Sequence, residues 1–113
     1  MIVDDFEQHV RGFGLLVDHL LVGEQAYVHL KNVRISAGTH AGSVCDVAIL
    51  RTTEVPWAPQ AAVHVKPHLV RMGERCSQAS PVGPEWQYLS RRFERTPSPK
   101  HFYAHVLTVL GEL

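Results

Sequence analysis

Two cysteines and eight histidines are the side chains of this chain best suited to act as nucleophiles, metal ligands or proton carriers. The cysteines keep different company. Cys45 lies in the β-branched run around Val44 and Val47, where a free thiol packs as a small hydrophobe. Cys76 lies in Met72-Gly73-Glu74-Arg75-Cys76-Ser77, a polar, flexible segment with Arg71 and Arg75 on the two sides of the glycine. Reactive thiols occupy such exposed, electropositive settings because the thiolate is the attacking species. Among the histidines, His101 and His105 are four apart on a segment with helical spacing, so they share a face as helical zinc ligands do. His64 and His68 are also four apart, but at a strand end, where that spacing does not make them converge. No acidic or cysteine partner stands at a recognisable ligand offset, so no metal and no cofactor is expected.

The elements that must position these residues follow from hydrophobic periodicity. Asp4–Arg11 is expected to be a short helix, with Asp4 and Asp5 favouring its N-terminus and Phe6 and Val10 on one side. Gly12 and Gly14 end it. Leu15–Val22 is a dense apolar run of strand length, and Gly23-Glu24 is a hairpin turn. Ala26–Ile35 alternates with period two until the phase slips by one near Lys31-Asn32, which calls for a bulge. Ser36–Ser43 is a loop. Val44–Thr52 is a third, buried strand, Pro56 and Pro59 stiffen the connection around Trp57, and Ala61–Val65 is a fourth strand. From Leu69 to Ser98 no period survives; a segment that long without structure is more often functional than idle. Trp86–Phe93 is expected to form a short helical turn within it. Pro99–Leu113 is an amphipathic helix, with Ser98 as N-cap, Pro99 in the first position, and Phe102, Val106 and Val109 on one face. The expected fold class is α+β: one domain over residues 1–113, an N-terminal helix, a four-stranded antiparallel meander, a long active-site loop and a C-terminal helix.

Composition narrows the function. The 113 residues are 45% hydrophobic and 19% charged, a globular composition rather than a disordered one. Eleven Lys and Arg balance eleven Asp and Glu. Zero net charge argues against a nucleic-acid binder, whose affinity comes from neutralising phosphates. Arg91, Arg92 and Arg95 form a small basic cluster better suited to a solvated face or an acidic protein partner. Trp57 and Trp86 are expected to be packing anchors under the loops. No apolar run approaches the roughly 20 residues of a membrane span. The start, Met-Ile-Val-Asp-Asp, lacks the basic and apolar regions of a signal peptide, so a cytoplasmic location is expected.

The spacing around Cys76 carries a resemblance. Pro67-His68 closes the fourth strand, seven residues follow, then Cys76, with Gly73 three positions before it. This is similar to the signature of ubiquitin-conjugating enzymes, His-Pro-Asn, seven residues and the catalytic Cys, with Gly at the same offset. Lys66 stands where the family has His, and His68 where it has Asn. The tail Gly83-Pro84-Glu85-Trp86-Gln87-Tyr88-Leu89-Ser90-Arg91-Arg92, the closing helix, the strand at Val44–Leu50 and Pro56-Trp57-Ala58-Pro59 resemble the prokaryotic ubiquitin-conjugating-like family designated E, over about residues 4–113.

That resemblance implies a UBC-like fold and an acyl transferase. Cys76 would accept a ubiquitin-like protein as a thioester and pass it to an amine. His68 would take the place of the motif's Asn, which is assigned to the oxyanion or to local loop structure. The implied partners are a ubiquitin-like protein, an activating enzyme and a deconjugating peptidase of the same system; some such bacterial systems act against phage. The alternatives are a catalytically inactive UBC-fold adaptor that binds a ubiquitin-like protein or the activating enzyme, a redox-sensing thiol protein, and a histidine-based metal-binding domain.

Overall fold

The computed structural model describes residues 2–92 and 98–113. Helix α1 spans Val3–Arg11, with Asp4 and Asp5 in its first turn and His9 and Arg11 in its last, the arrangement its dipole favours. It buries Val3, Phe6, Glu7 and Val10. Four strands follow: β1 Leu16–Val22, β2 Gln25–Arg34, β3 Val44–Arg51 and β4 Val63–Lys66. They form the expected antiparallel meander. Gly23, at φ 61, opens the two-residue turn that joins β1 to β2, the place where a hairpin needs a left-handed residue. The expected bulge is present as well. The β2–β3 register shifts between Leu30 and Val33, and Asn32 takes φ 55 while its N–H donates to Asp46 Oδ1 at 3.1 Å.

Beyond β4 the structure differs from the sequence reading. A 3-10 turn at Glu74–Cys76 leads into β5 (Ser77–Ala79), and β6 (Gln87–Leu89) returns to lie between β5 and β4. The sheet therefore has six strands in the order β1-β2-β3-β4-β6-β5, all antiparallel, rather than four. Residues 87–89 are a strand and not part of a helical turn; Phe93 and Arg95 lie outside the described residues. Three-residue strands are too short to show a period of two, and the buried Gln87 breaks the apolar pattern that would otherwise mark one. Helix α2 spans Pro99–Gly111, and the Ser98 side chain caps it by accepting from the His101 N–H. The fold class is α+β, with two helices on an antiparallel sheet.

The two helices share one face of the sheet. Phe6 and Phe102 meet edge to face with ring centroids 5.3 Å apart, and Trp57 packs against both from the β3–β4 connection. Leu30, Ile49, Val65, Leu89, Val106 and Leu110 complete the core. The opposite face carries a smaller cluster, Tyr27, Ala48 and Trp86. Both tryptophans are packing anchors. Gly38, at φ +82 in the β2–β3 loop, lies so close to α2 that a Cβ would sit 2.1 Å from the Gly111 carbonyl oxygen. Among the described residues, no helix is long and apolar enough to cross a membrane.

Candidate functional site

The segment from Pro67 to Ser77 leaves β4, turns, and returns as β5, and side chains from β5, β6 and the residues after β6 hold its backbone. Gln87, fully buried on β6, accepts at Oε1 from the Leu69 N–H (3.1 Å) and the Val70 N–H (3.4 Å), and its Nε2 donates to the Val70 carbonyl at 2.8 Å. One amide thus satisfies three backbone groups that have no ladder to join. Ser77 closes the far end: its hydroxyl donates to the Arg71 carbonyl and accepts from the Gly73 N–H at 3.0 Å. Arg91 Nη1 donates to the Arg75 carbonyl at 2.9 Å while its Nε donates to Glu112 Oε2 at 3.1 Å, tying the turn to the end of α2. The Ser90 N–H donates to the Cys76 carbonyl at 3.2 Å. Arg91 is therefore a strap rather than part of a solvated basic face.

Cys76 sits on the exposed turn that these contacts hold. Arg75 (φ 54) and Cys76 (φ 59) are consecutive left-handed residues, and neither is glycine. L-residues avoid this region at a cost of order 1–3 kcal/mol each, and such outliers persist only where surrounding contacts over-determine them. The Gln87, Ser77 and Arg91 bonds are those contacts. Cys45 is the opposite case. It is 3% exposed on β3, and burial, with a smaller contribution from the neighbouring Asp46 carboxylate, pushes its thiol up to about 12.

His68 follows Pro67, whose peptide bond with Lys66 is cis. Its ring Nε2–H donates to two carbonyls, Pro84 at 3.1 Å and Trp86 at 3.0 Å, and so pins the segment before β6 against the end of β4. Among the described residues no hydrogen bond joins His68 to Cys76: both belong to one loop, but the His68 ring proton is committed to the backbone. Lys66, Pro67, His68, Pro84 and Glu85 line an open groove of about 540 Å³ beside it. Lys66 Nζ reaches Glu85 Oε2 at 3.8 Å and stands 5.5 Å above the Trp86 ring.

Several of the other histidines are also engaged. His101 Nδ1 meets Ser98 Oγ at 2.8 Å, and His105 Nε2–H donates to the Ala61 carbonyl at 2.8 Å, so the helix-face pair serves the N-cap and a loop. His64, 2% exposed between Tyr27 and Tyr88, meets the Ser80 hydroxyl with Nδ1 at 2.7 Å, and burial lowers its pKa to about 4. His29 Nε2–H donates to Asp46 Oδ2 at 2.9 Å. Burial would raise the Asp46 carboxyl, but the Asn32 N–H and His29 outweigh it and hold it below its ordinary value. Among the described residues no three His, Cys, Asp or Glu side chains are grouped to hold a metal ion.

Gln87, Ser77 and Arg91 are the positioning residues that the sequence reading did not find. Only Gln87 left a trace, as the one polar residue in the stretch from Trp86 to Leu89. Comparison with protein families, curated proteins and solved structures gives no match.

Proposed function

We propose that the protein is a ubiquitin-conjugating-like acyl carrier whose nucleophile is Cys76. The observation that carries this reading is the exposed thiol on a left-handed turn, held by a buried glutamine and two further side chains, in a chain whose second thiol is sealed in the sheet. The Pro67-His68 to Cys76 spacing and the helix-then-meander order before it support the same reading. In the first step the Cys76 thiolate attacks the thioester that links an activating enzyme to the C-terminus of a ubiquitin-like protein, and the enzyme's thiolate leaves. In the second, an amine attacks the new thioester, the Cys76 thiolate departs, and the amine proton passes to solvent. Sulfur suits both roles because it attacks and leaves readily. The tetrahedral oxyanion of the second step calls for a hydrogen-bond donor.

A second reading has one observation in its favour. The His68 ring proton is occupied by the Pro84 and Trp86 carbonyls, which fits a loop-structuring residue better than an oxyanion donor. On this reading the domain is an inactive adaptor that binds the ubiquitin-like protein or its activating enzyme without charging. The test is Cys76→Ser in the presence of activating enzyme, ubiquitin-like protein and ATP. An alkali-labile oxyester on the variant, with a thiol-labile adduct on the unaltered protein, supports the carrier. Binding without either adduct supports the adaptor.

A further inference from the structure

The two edges of the sheet are unlike. β5 closes one edge with three residues, Ser77–Ala79, whereas β1 closes the other with seven, Leu-Val-Asp-His-Leu-Leu-Val, free of proline and lysine. Leu16 and Leu21 on β1 are 65% and 79% exposed. A long apolar edge that no other described strand pairs with is a template for another strand unless something blunts it.

The register shows which backbone groups are on offer. Val22 pairs with Gln25 across a two-residue turn, so those two residues exchange hydrogen bonds, and so do Leu20 with Tyr27 and Asp18 with His29. The N–H and C=O groups of Val17, His19 and Leu21 therefore point away from β2. The central one of these donors is already taken: the His19 N–H donates to Asp18 Oδ1 at 2.8 Å. Lys31 Nζ, 3.5 Å from Asp18 Oδ2, holds that carboxylate in place from the neighbouring strand.

We propose that the β1 edge is a pairing surface for a second copy of this chain, and that the Asp18 carboxylate, folded onto the His19 N–H, is the guard that keeps it closed. The occupant follows from the strand's own symmetry. An antiparallel two-fold through His19 puts Val17 opposite Leu21 of the second copy and Leu16 opposite its Val22, which covers both exposed leucines. It sets no two carboxylates opposite each other, because Asp18 faces Leu20 of the second copy. The outward groups of Val17, His19 and Leu21 then bond in three reciprocal pairs, and the His19 N–H donates to the His19 carbonyl of the second copy only after Asp18 lets go. Each His19 side chain stays on its own Glu7, on the helix side of the sheet.

Sedimentation of the unaltered protein, Asp18→Ala, and Asp18→Ala combined with Leu21→Pro tests this. The proline removes one outward N–H and no bond to β2. Expected are a monomer, a dimer at least about tenfold tighter than any self-association of the unaltered protein, and a return to monomer. Amide exchange by NMR gives a reading that does not depend on the variants: in the unaltered protein the His19 amide is protected while those of Val17 and Leu21 exchange quickly. A monomeric but folded Asp18→Ala overturns the proposal. So does a dimer in the unaltered protein, or a dimer that survives Leu21→Pro, or a His19 amide that exchanges as fast as its two neighbours.

Discussion

Cys45 and Cys76 are the same residue in two kinds of rigidity. Cys45 is fixed by enclosure: Val33 opposite it on β2, a place in the core shared with both helices, and a thiol that is 3% exposed. Cys76 is fixed by hydrogen bonds to the backbone around it, and its side chain is left exposed. Enclosure suppresses chemistry, because a thiol pushed up to about 12 is almost never ionised near neutrality. Scaffolding from below positions a side chain without burying it. The difference teaches that order in the Pro67–Ser77 segment, despite its glycine and its lack of period, comes from a few polar side chains bonded to its backbone, with Leu69 and Val70 packed on the core at its start.

The most severe break is to remove the thiol itself. Cys76→Ala should leave no native thiol open to an alkylating reagent, whereas Cys45→Ala should leave that reaction unchanged. Thiol titration of the folded and urea-unfolded protein reads this directly, one equivalent against two. Burial, together with the neighbouring Asp46 carboxylate, lowers the Cys45 thiolate population about a thousandfold relative to an ordinary thiol, so comparable reaction of both thiols in the folded protein would erase the contrast.

Removing the scaffold is the next step down. Gln87→Ala strands the Leu69 and Val70 N–H groups and the Val70 carbonyl, and should cost about 3 kcal/mol in urea unfolding. It should also raise amide exchange across 68–77 while leaving β3 protected. Equal loosening around Cys45 would mean that the two regions are not held separately.

Acid should act on the enclosed side of the molecule. His64 is neutral in the fold with a pKa lowered from 6.5 to about 4, so the unfolded chain binds the proton more readily. Its stabilising contribution is complete above about pH 6.5 and is lost as the pH falls towards 4, roughly 3 kcal/mol in all. Urea midpoints at pH 7 and pH 4, repeated on His64→Phe, check the sign: the variant should lose less on acidification. Smaller again is Gly38→Ala, which meets both a positive φ and the Gly111 carbonyl; it should cost about 2 kcal/mol in thermal unfolding. That loosens the α2 end, where Glu112 anchors the Arg91 strap to the Cys76 turn.

Much of the fold was legible in the sequence because long elements repeat themselves. The nine residues of α1, the ten of β2 with its bulge, and α2 with its serine cap all carry enough turns of period to be read. The two short strands were not legible, since three residues hold one alternation at most. Cys76 could be singled out by its neighbours and its spacing from Pro67-His68. What holds it could not. The bonds from Ser77 and Arg91 to backbone groups leave no pattern in residue type, those of Gln87 leave only a polar residue among apolar ones, and His68 was legible as a loop residue but not as one that spends its proton on Pro84 and Trp86.

The central claim, that the exposed thiol carries an acyl group, is met most directly by a charging assay. The protein is incubated with an activating enzyme, its ubiquitin-like protein and ATP, and resolved on a non-reducing gel. The account predicts an adduct that thiol reductant removes, that persists in Cys45→Ala and is absent in Cys76→Ala. An adduct that survives in folded Cys76→Ala, or none on the unaltered protein with a competent activating enzyme, would contradict it.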